Sequence, residues 1–155
     1  MLTWLRSIFY ASQQTFRSRG TSSSTGGSGV RHPKTVVLVG HCGPDMFMLK
    51  TAVGRALPEA TIVSVNDVDA LGEYRTPEAL LLVNRELDGR FHTQSGIDII
   101  REITQQSDGP VTMLISNLQD AQAQAIAAGA KPGFGKSQLY DKSTTSLLTG
   151  AMQPE

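Results

Sequence analysis

The sequence predicts an α/β domain built as a doubly wound sheet of five parallel strands with helices on both faces. Three observations predict it. Short apolar runs alternate five times with segments of helical period. Several of these runs are β-branched and apolar throughout, as strands buried on both faces are. No Asn-Gly turn joins one run to the next. Such alternation demands crossover connections, which within one sheet are right-handed and leave the strands parallel.

The run Thr35-Val36-Val37-Leu38-Val39, ending at Gly40, is the first strand. Met46, Leu49, Val53 and Leu57 follow at 3- and 4-residue spacing, a helix over 46–57 that stops near Pro58. Thr61-Ile62-Val63-Ser64-Val65 is the second strand, with a short helix around Val68 to Tyr74 behind it. Ala79-Leu80-Leu81-Leu82-Val83 is the third and runs straight into Asn84. Ile97, Ile100 and Ile103 form one stripe of a helix over 96–104, and Val111-Thr112-Met113-Leu114-Ile115 is the fourth strand. The Ala-rich segment 120–128 is a helix halted by Gly129, a residue suited to the left-handed turn that ends helices. A weak fifth strand around Phe134 and a short helix over 142–152 complete the domain, leaving 153–155 as a tail.

Composition bounds the function. The 155 residues match one domain, and 39% apolar residues suffice for a single core. Fourteen Lys and Arg balance fourteen Asp and Glu, which excludes a generally basic nucleic-acid binder. A single cysteine, Cys42, excludes an internal disulfide and a Cys-based zinc cage. No apolar run approaches the roughly 18 residues that cross a bilayer, so a small cytoplasmic domain is expected.

The balance hides an asymmetry. Residues 1–33 hold four Arg and no acid, whereas the remainder holds ten basic and fourteen acidic side chains, hence +4 against −4. Residues 20–29 read Gly-Thr-Ser-Ser-Ser-Thr-Gly-Gly-Ser-Gly, the composition of a flexible linker, so the domain is expected over 34–152. Ahead of the linker, Leu2, Leu5, Ile8, Phe9 and Phe16 recur near helical spacing. That segment lacks the uninterrupted apolar stretch of a secretory signal. A transit peptide, a short amphipathic helix touching a membrane or partner, and a frayed tail remain open for it.

In doubly wound sheets the carboxyl ends of the strands carry the ligand sites. The first strand delivers Gly40-His41-Cys42-Gly43-Pro44-Asp45, the third Asn84-Arg85-Glu86-Leu87-Asp88-Gly89, the fourth Ser116-Asn117 and the fifth Lys136. Here the chain resembles the receiver domain of bacterial response regulators, the flavodoxin-like phospho-acceptor module of two-component signalling. The resemblance runs from Lys34 to about Met152. It rests on Leu-Leu-Leu-Val-Asn-Arg-Glu-Leu-Asp-Gly, and on Thr-Met-Leu-Ile-Ser-Asn followed by Ala-Ile-Ala-Ala-Gly-Ala and Lys136. It implies a switch hydroxyl at Ser116 and a site lysine at Lys136.

The departures from that pattern are chemical. The resemblance implies a Mg²⁺-binding acidic pair where Gly40 and His41 stand, and a phospho-acceptor aspartate where Asn84 stands. Gly133 holds the place of the switch aromatic, and Ser137 that of a proline after the lysine. Mg²⁺ wants carboxylate oxygens, glycine has none, and imidazole suits transition metals better. A carboxamide is no nucleophile, so no acyl phosphate forms on Asn84. With the carboxylate gone, Lys136 and Asn84 are expected to share a structural hydrogen bond, and Ser116 to cap a turn.

Other constellations yield less. Gly40-His41-Cys42-Gly43 lacks both the dinucleotide and the P-loop glycine patterns, and a tight turn explains it. His41 and His92 would make an incomplete metal site, so His41 is expected as a loop histidine. Met46, Phe47 and Met48 read as core or partner-facing packing.

The expected function is a noncatalytic, phosphorylation-independent receiver-like module of two-component type, with no cofactor and no metal. Its partner is a protein, a second copy included, and no DNA-binding output domain is expected after the last helix. By resemblance, the docking face is made by the fourth helix, fifth strand and fifth helix, and would include Gln122, Gln124, Ile126, Phe134, Gln138 and Tyr140. The alternative is a small-ligand or anion-binding α/β domain, or an enzyme, using the Gly40–Pro44 turn and Lys136.

Overall fold

The structure, a computed structural model, describes residues 33–154. Of the tail and linker expected over 1–33, residues 1–32 lie outside the described residues. Strands β1 (Thr35–Val39), β2 (Thr61–Val65), β3 (Ala79–Asn84), β4 (Val111–Ile115) and β5 (Lys131–Phe134) form one parallel sheet in the order β2-β1-β3-β4-β5. Helices α1 (Gly43–Ala56), α2 (Val68–Gly72), α3 (Gly96–Thr104), α4 (Gln119–Ala127) and α5 (Lys142–Ala151) connect and follow them. This is the flavodoxin-like doubly wound order, in which the chain reverses direction across the sheet between β1 and β3.

The strand pattern sets the two layers. Alternate residues point to opposite faces. Val36, Leu38, Leu80, Leu82, Met113 and Ile115 pack against Leu49, Val53 and Leu148 of α1 and α5. Val37, Val39, Leu81, Val83 and Leu114 pack against Leu71, Ile100, Ile103 and Ala125 of α2, α3 and α4. Both faces of the central strands are therefore dry, which is why β1, β3 and β4 hold only Thr35, Asn84 and Thr112 as polar residues.

Register then positions the site. Val39 lies opposite both Val65 and Val83, and Asn84 lies opposite Ile115. Gly40, Asn66, Asn84 and Ser116 thus leave the sheet at one rim. Gly96 starts α3 beneath that rim because a Cβ there would meet the Asn84 carbonyl oxygen at 1.9 Å. Helix α1 begins three residues before the expected Met46, since Pro44 in its first turn brings a preset φ and needs no donor.

The fifth strand is less regular than the other four. Lys131 pairs with Met113 and Phe134 with Ile115, so β5 carries one residue more than β4 over the same span. Such a bulge turns the following side chain to the other face. Phe134 is consequently 3% exposed and packs in the layer with α1 and α5. Its expected place on an exposed docking face is corrected: it belongs to the core.

Candidate functional site

A cleft of about 440 Å³ opens at the rim, lined by Cys42, Asn84, Arg85, Glu86, Ser116, Asn117 and Lys136 among others. It sits at the topological reversal between β1 and β3, where ligands of this architecture bind. The structure brings Asn84, Ser116 and Lys136 together there, as the sequence suggested.

Their bonding differs from expectation. Asn84 Nδ2 donates to the Gly40 carbonyl at 3.0 Å and to the Glu86 carbonyl at 2.7 Å. Lys136 Nζ instead donates to the carboxylate of Asp45, in the first turn of α1. The expected Lys136–Asn84 bond is therefore replaced by an ion pair with a residue the sequence reading did not place in the site. Bonding to Lys136 holds the Asp45 carboxyl below the usual carboxylate range; partial burial opposes this, and a hydrogen bond from Cys42 assists it. The signal for Asp45 was available: with Asn84 neutral, the nearest acid to the first strand's end inherits the lysine.

Gly40 is at φ +70°, and a Cβ there would lie 2.5 Å from Leu87 Cδ2. A left-handed backbone with no room for a side chain fixes glycine at this point. The turn aims the Gly40 carbonyl at the loop after β3, where Asp88 N also donates to it at 3.0 Å.

His41 lies in the loop between β1 and α1, as expected, but its side chain is buried in the core. It is 0% exposed, and its Nε2 lies 2.9 Å from the Leu82 carbonyl. A carbonyl only accepts, so the proton resides on Nε2. Burial is the main cause of a pKa pushed down to about 4. His92 Nε2 faces Glu102 Oε2 at 3.0 Å, so the two histidines point at different partners. Among the described residues no three His, Cys, Asp or Glu side chains cluster as metal ligands.

Ser116 Oγ accepts from Leu118 N at 3.1 Å and so caps the turn into α4, as expected. Asn66 Nδ2 donates to the His41 carbonyl at 3.1 Å, and Asn117 Oδ1 accepts from Ser137 Oγ at 2.9 Å. Gln122, expected on the docking face, turns inward. Its Nε2 donates to the Leu114 and Ser116 carbonyls at 3.0 Å each, and its Oε1 accepts from Gly133 N at 3.2 Å. A carboxamide thus stitches β4 to β5 beside Gly133, the position where the resemblance called for an aromatic. Every loop at this rim is tied to a neighbour by Asn66, Asn84, Asn117, Gln122 or the Asp45–Lys136 pair.

The Mg²⁺ site that the resemblance implies does not fit these residues. Mg²⁺ takes oxygen ligands, with one or two carboxylates among them. Gly40 has no side chain, His41 is directed into the core, and the Asp45 and Glu86 carboxylates are paired with Lys136 and Arg85. The Gly40 and Glu86 carbonyls already accept from Asn84.

Neither a protein-family model nor a curated protein matches the chain. Solved structures do. A response regulator receiver domain from Rhodospirillum rubrum superposes with a TM-score of 0.56 at 15% identity, over 77% of this chain and 96% of that one. A putative response regulator from Chloroflexus aurantiacus gives 0.56 at 17% identity, over 76% and 98%. The signal receiver domain of a DNA-binding response regulator from Colwellia psychrerythraea gives 0.55 at 17% identity, over 74% and 98%. The chain has the fold of response regulator receiver domains.

Proposed function

We propose that the domain is a noncatalytic, phosphorylation-independent signalling module of two-component type that acts through protein–protein contact. The observation that carries this reading is Asn84. Its place at the end of β3 calls for a nucleophilic carboxylate, and its amide hydrogens are committed to Gly40 and Glu86. An amide nitrogen shares its lone pair with its own carbonyl and does not attack phosphorus. Ser116 is engaged as a turn cap and Lys136 by Asp45, so neither group is poised for phosphate.

What supports a contact function is the flank formed by α4 and the start of α5. Ile126 is exposed there in a groove it shares with Gln138, Leu118 is exposed in a second groove with Gln124, and Tyr140 is exposed with the Arg55 guanidinium of α1 over its ring. Asp120 is the one charged residue of α4. Depletion of charge around exposed apolar and aromatic side chains is the composition of an interface core.

The test is an NMR titration of the full chain with acetyl phosphate, and separately with beryllofluoride, each with Mg²⁺. The spectrum is expected to stay unchanged, and specific shifts around Asn84 would refute the reading. The anion-binding alternative has a cleft, but its lysine is neutralised by Asp45. Thermal shift against phosphate and nucleotides separates the two readings, because a ligand bound to the native state raises its stability.

A further inference from the structure

The two edges of the sheet are built differently. At one end of the strand order, β5 carries Lys131, Pro132 and a register shift, and each of these discourages a further strand from adding on. At the other end, β2 reads Thr61-Ile62-Val63-Ser64-Val65, with no charge, no proline and no bulge. Its inner edge is taken by β1: Thr61 N donates to the Lys34 carbonyl at 3.1 Å, and the Val65 carbonyl accepts from Gly40 N at 3.0 Å. Successive residues of an extended strand turn their backbone polar groups to opposite edges, so Val63 faces β1 as well, and Ile62 and Ser64 face away. Neither of these two has a backbone partner among the described residues.

The charge around this open edge is of one sign. From 56 to 74, a stretch that holds all of β2 and α2, the charged residues are Glu59, Asp67, Asp69 and Glu73, and none is basic. Glu59, Asp69 and Glu73 are exposed. Lys34 lies on the β1 side of Thr61, and Arg90 bonds through its backbone to Asn66 and Val68, past the end of the strand. Two copies of this edge brought together would set acid against acid, which works against self-pairing. A strand with Lys or Arg at its ends meets the opposite case.

We infer that the outer edge of β2 is a docking site for an extended basic segment of a partner protein, which adds to the sheet as a further strand. Running antiparallel, such a segment exchanges two hydrogen bonds with each of Ile62 and Ser64. Backbone bonds supply the pairing, and the surrounding acids select the sign of the partner's charge. The site lies at the opposite end of the strand order from β5. It therefore stands whether or not α4 is a contact surface and whether or not the domain signals without phosphate.

The probe is a synthetic peptide, Lys-Lys-Val-Thr-Val-Thr-Val-Lys-Lys with blocked ends, compared with the same peptide carrying Glu for every Lys. Each is added to the full chain, and backbone amide hydrogen exchange is read by NMR. Without peptide, the Thr61 and Val63 amides are expected to be protected by β1, and those of Ile62 and Ser64 to exchange freely. The Lys peptide slows exchange at Ile62 and Ser64, the Glu peptide does not, and the effect weakens as salt rises. Glu59→Lys combined with Asp69→Lys, both at exposed positions, lowers affinity for the Lys peptide about tenfold. Ile62 and Ser64 amides that ignore the Lys peptide would overturn the inference, as would equal protection by both peptides or full affinity in the double variant. Protection without any peptide would overturn it too: if it grows with protein concentration the occupant is a second copy, and if it does not, the chain covers its own edge.

Discussion

The rim of the cleft and the flank of α4 lie at opposite ends of the same loop, Ser116 to Gln119, and treat their side chains in opposite ways. At the rim, carboxamides and the Asp45–Lys136 and Arg85–Glu86 pairs engage the loops' polar groups with each other. On the flank, Ile126 stands out from α4 with no covering element among the described residues, while Leu118 stands out where the cleft gives way to the helix. Cross-linked loops favour one conformation, and exposed apolar groups favour association. The proposed function draws on both: it needs order in the first region and a recognition surface in the second.

The sharpest way to break this contrast is to place at the rim the acid that the resemblance implies. Gly40→Asp places a side chain on a backbone at φ +70° and into Leu87. Strained φ costs about 1–3 kcal/mol and overpacking about 1–3 kcal/mol more, so a loss of about 3 kcal/mol or more is expected in urea unfolding. A stable Gly40→Asp chain would show that the rim can still host the missing carboxylate.

Acid titration probes the same region from beneath. His41 has its folded pKa pushed down to about 4 by burial, against 6.5 in the unfolded chain. Below pH 6.5 the unfolded state takes up a proton that the native state refuses until about pH 4. Stability therefore falls as pH drops through that window, by about 3 kcal/mol in all, and is constant for this group on either side. Asp45 acts in a separate window: its carboxyl is lowered, so its contribution is present above the ordinary carboxylate pKa and is lost as pH falls below it. Urea midpoints between pH 7 and 4 check this, and a flat profile would remove His41 from the core.

A smaller effect decides which region Gln122 belongs to. If it is a rim staple, Gln122→Ala strands the carbonyls and the Gly133 amide it now satisfies, costing about 1–3 kcal/mol. A neutral result in the same unfolding assay would return Gln122 to the exposed flank.

Much of the scaffold was legible because strong periodicity leaves few options. Thr35–Val39, Gly96–Thr104 and Val111–Ile115 begin and end where the apolar pattern does. The rim was legible as a set of positions: Asn84, Ser116 and Lys136 do converge. Their partners were not, because a bond depends on which way a side chain turns, and spacing along the chain carries no such information. Asp45 faces the cleft from the first turn of α1, and His41 turns beneath the loops toward the Leu82 carbonyl. Phe134 was misplaced for a related reason: one extra residue in β5 reverses the face of everything after it, and the Pro132-Gly133 pair, a local signal of a bulge, does not say which residue is extra.

The smallest expected effect on stability is the most informative about function. Ile126 is 47% exposed on α4 and makes no contact that the core depends on. Replacing it by aspartate should change unfolding free energy by no more than about 0.5 kcal/mol, as surface substitutions generally do. If the flank is the working surface, that same charge sits in the middle of an interface and must be desolvated to bind, which costs far more than it does on the free protein. The paired measurement is urea unfolding and the affinity of wild type and Ile126→Asp for whatever protein the wild-type chain retains, a second copy included. Unchanged stability with binding reduced tenfold or more places recognition on α4. Unchanged stability with unchanged binding would move it elsewhere, with the exposed Phe47 stripe of α1 (74% exposed) the next surface to charge in the same way.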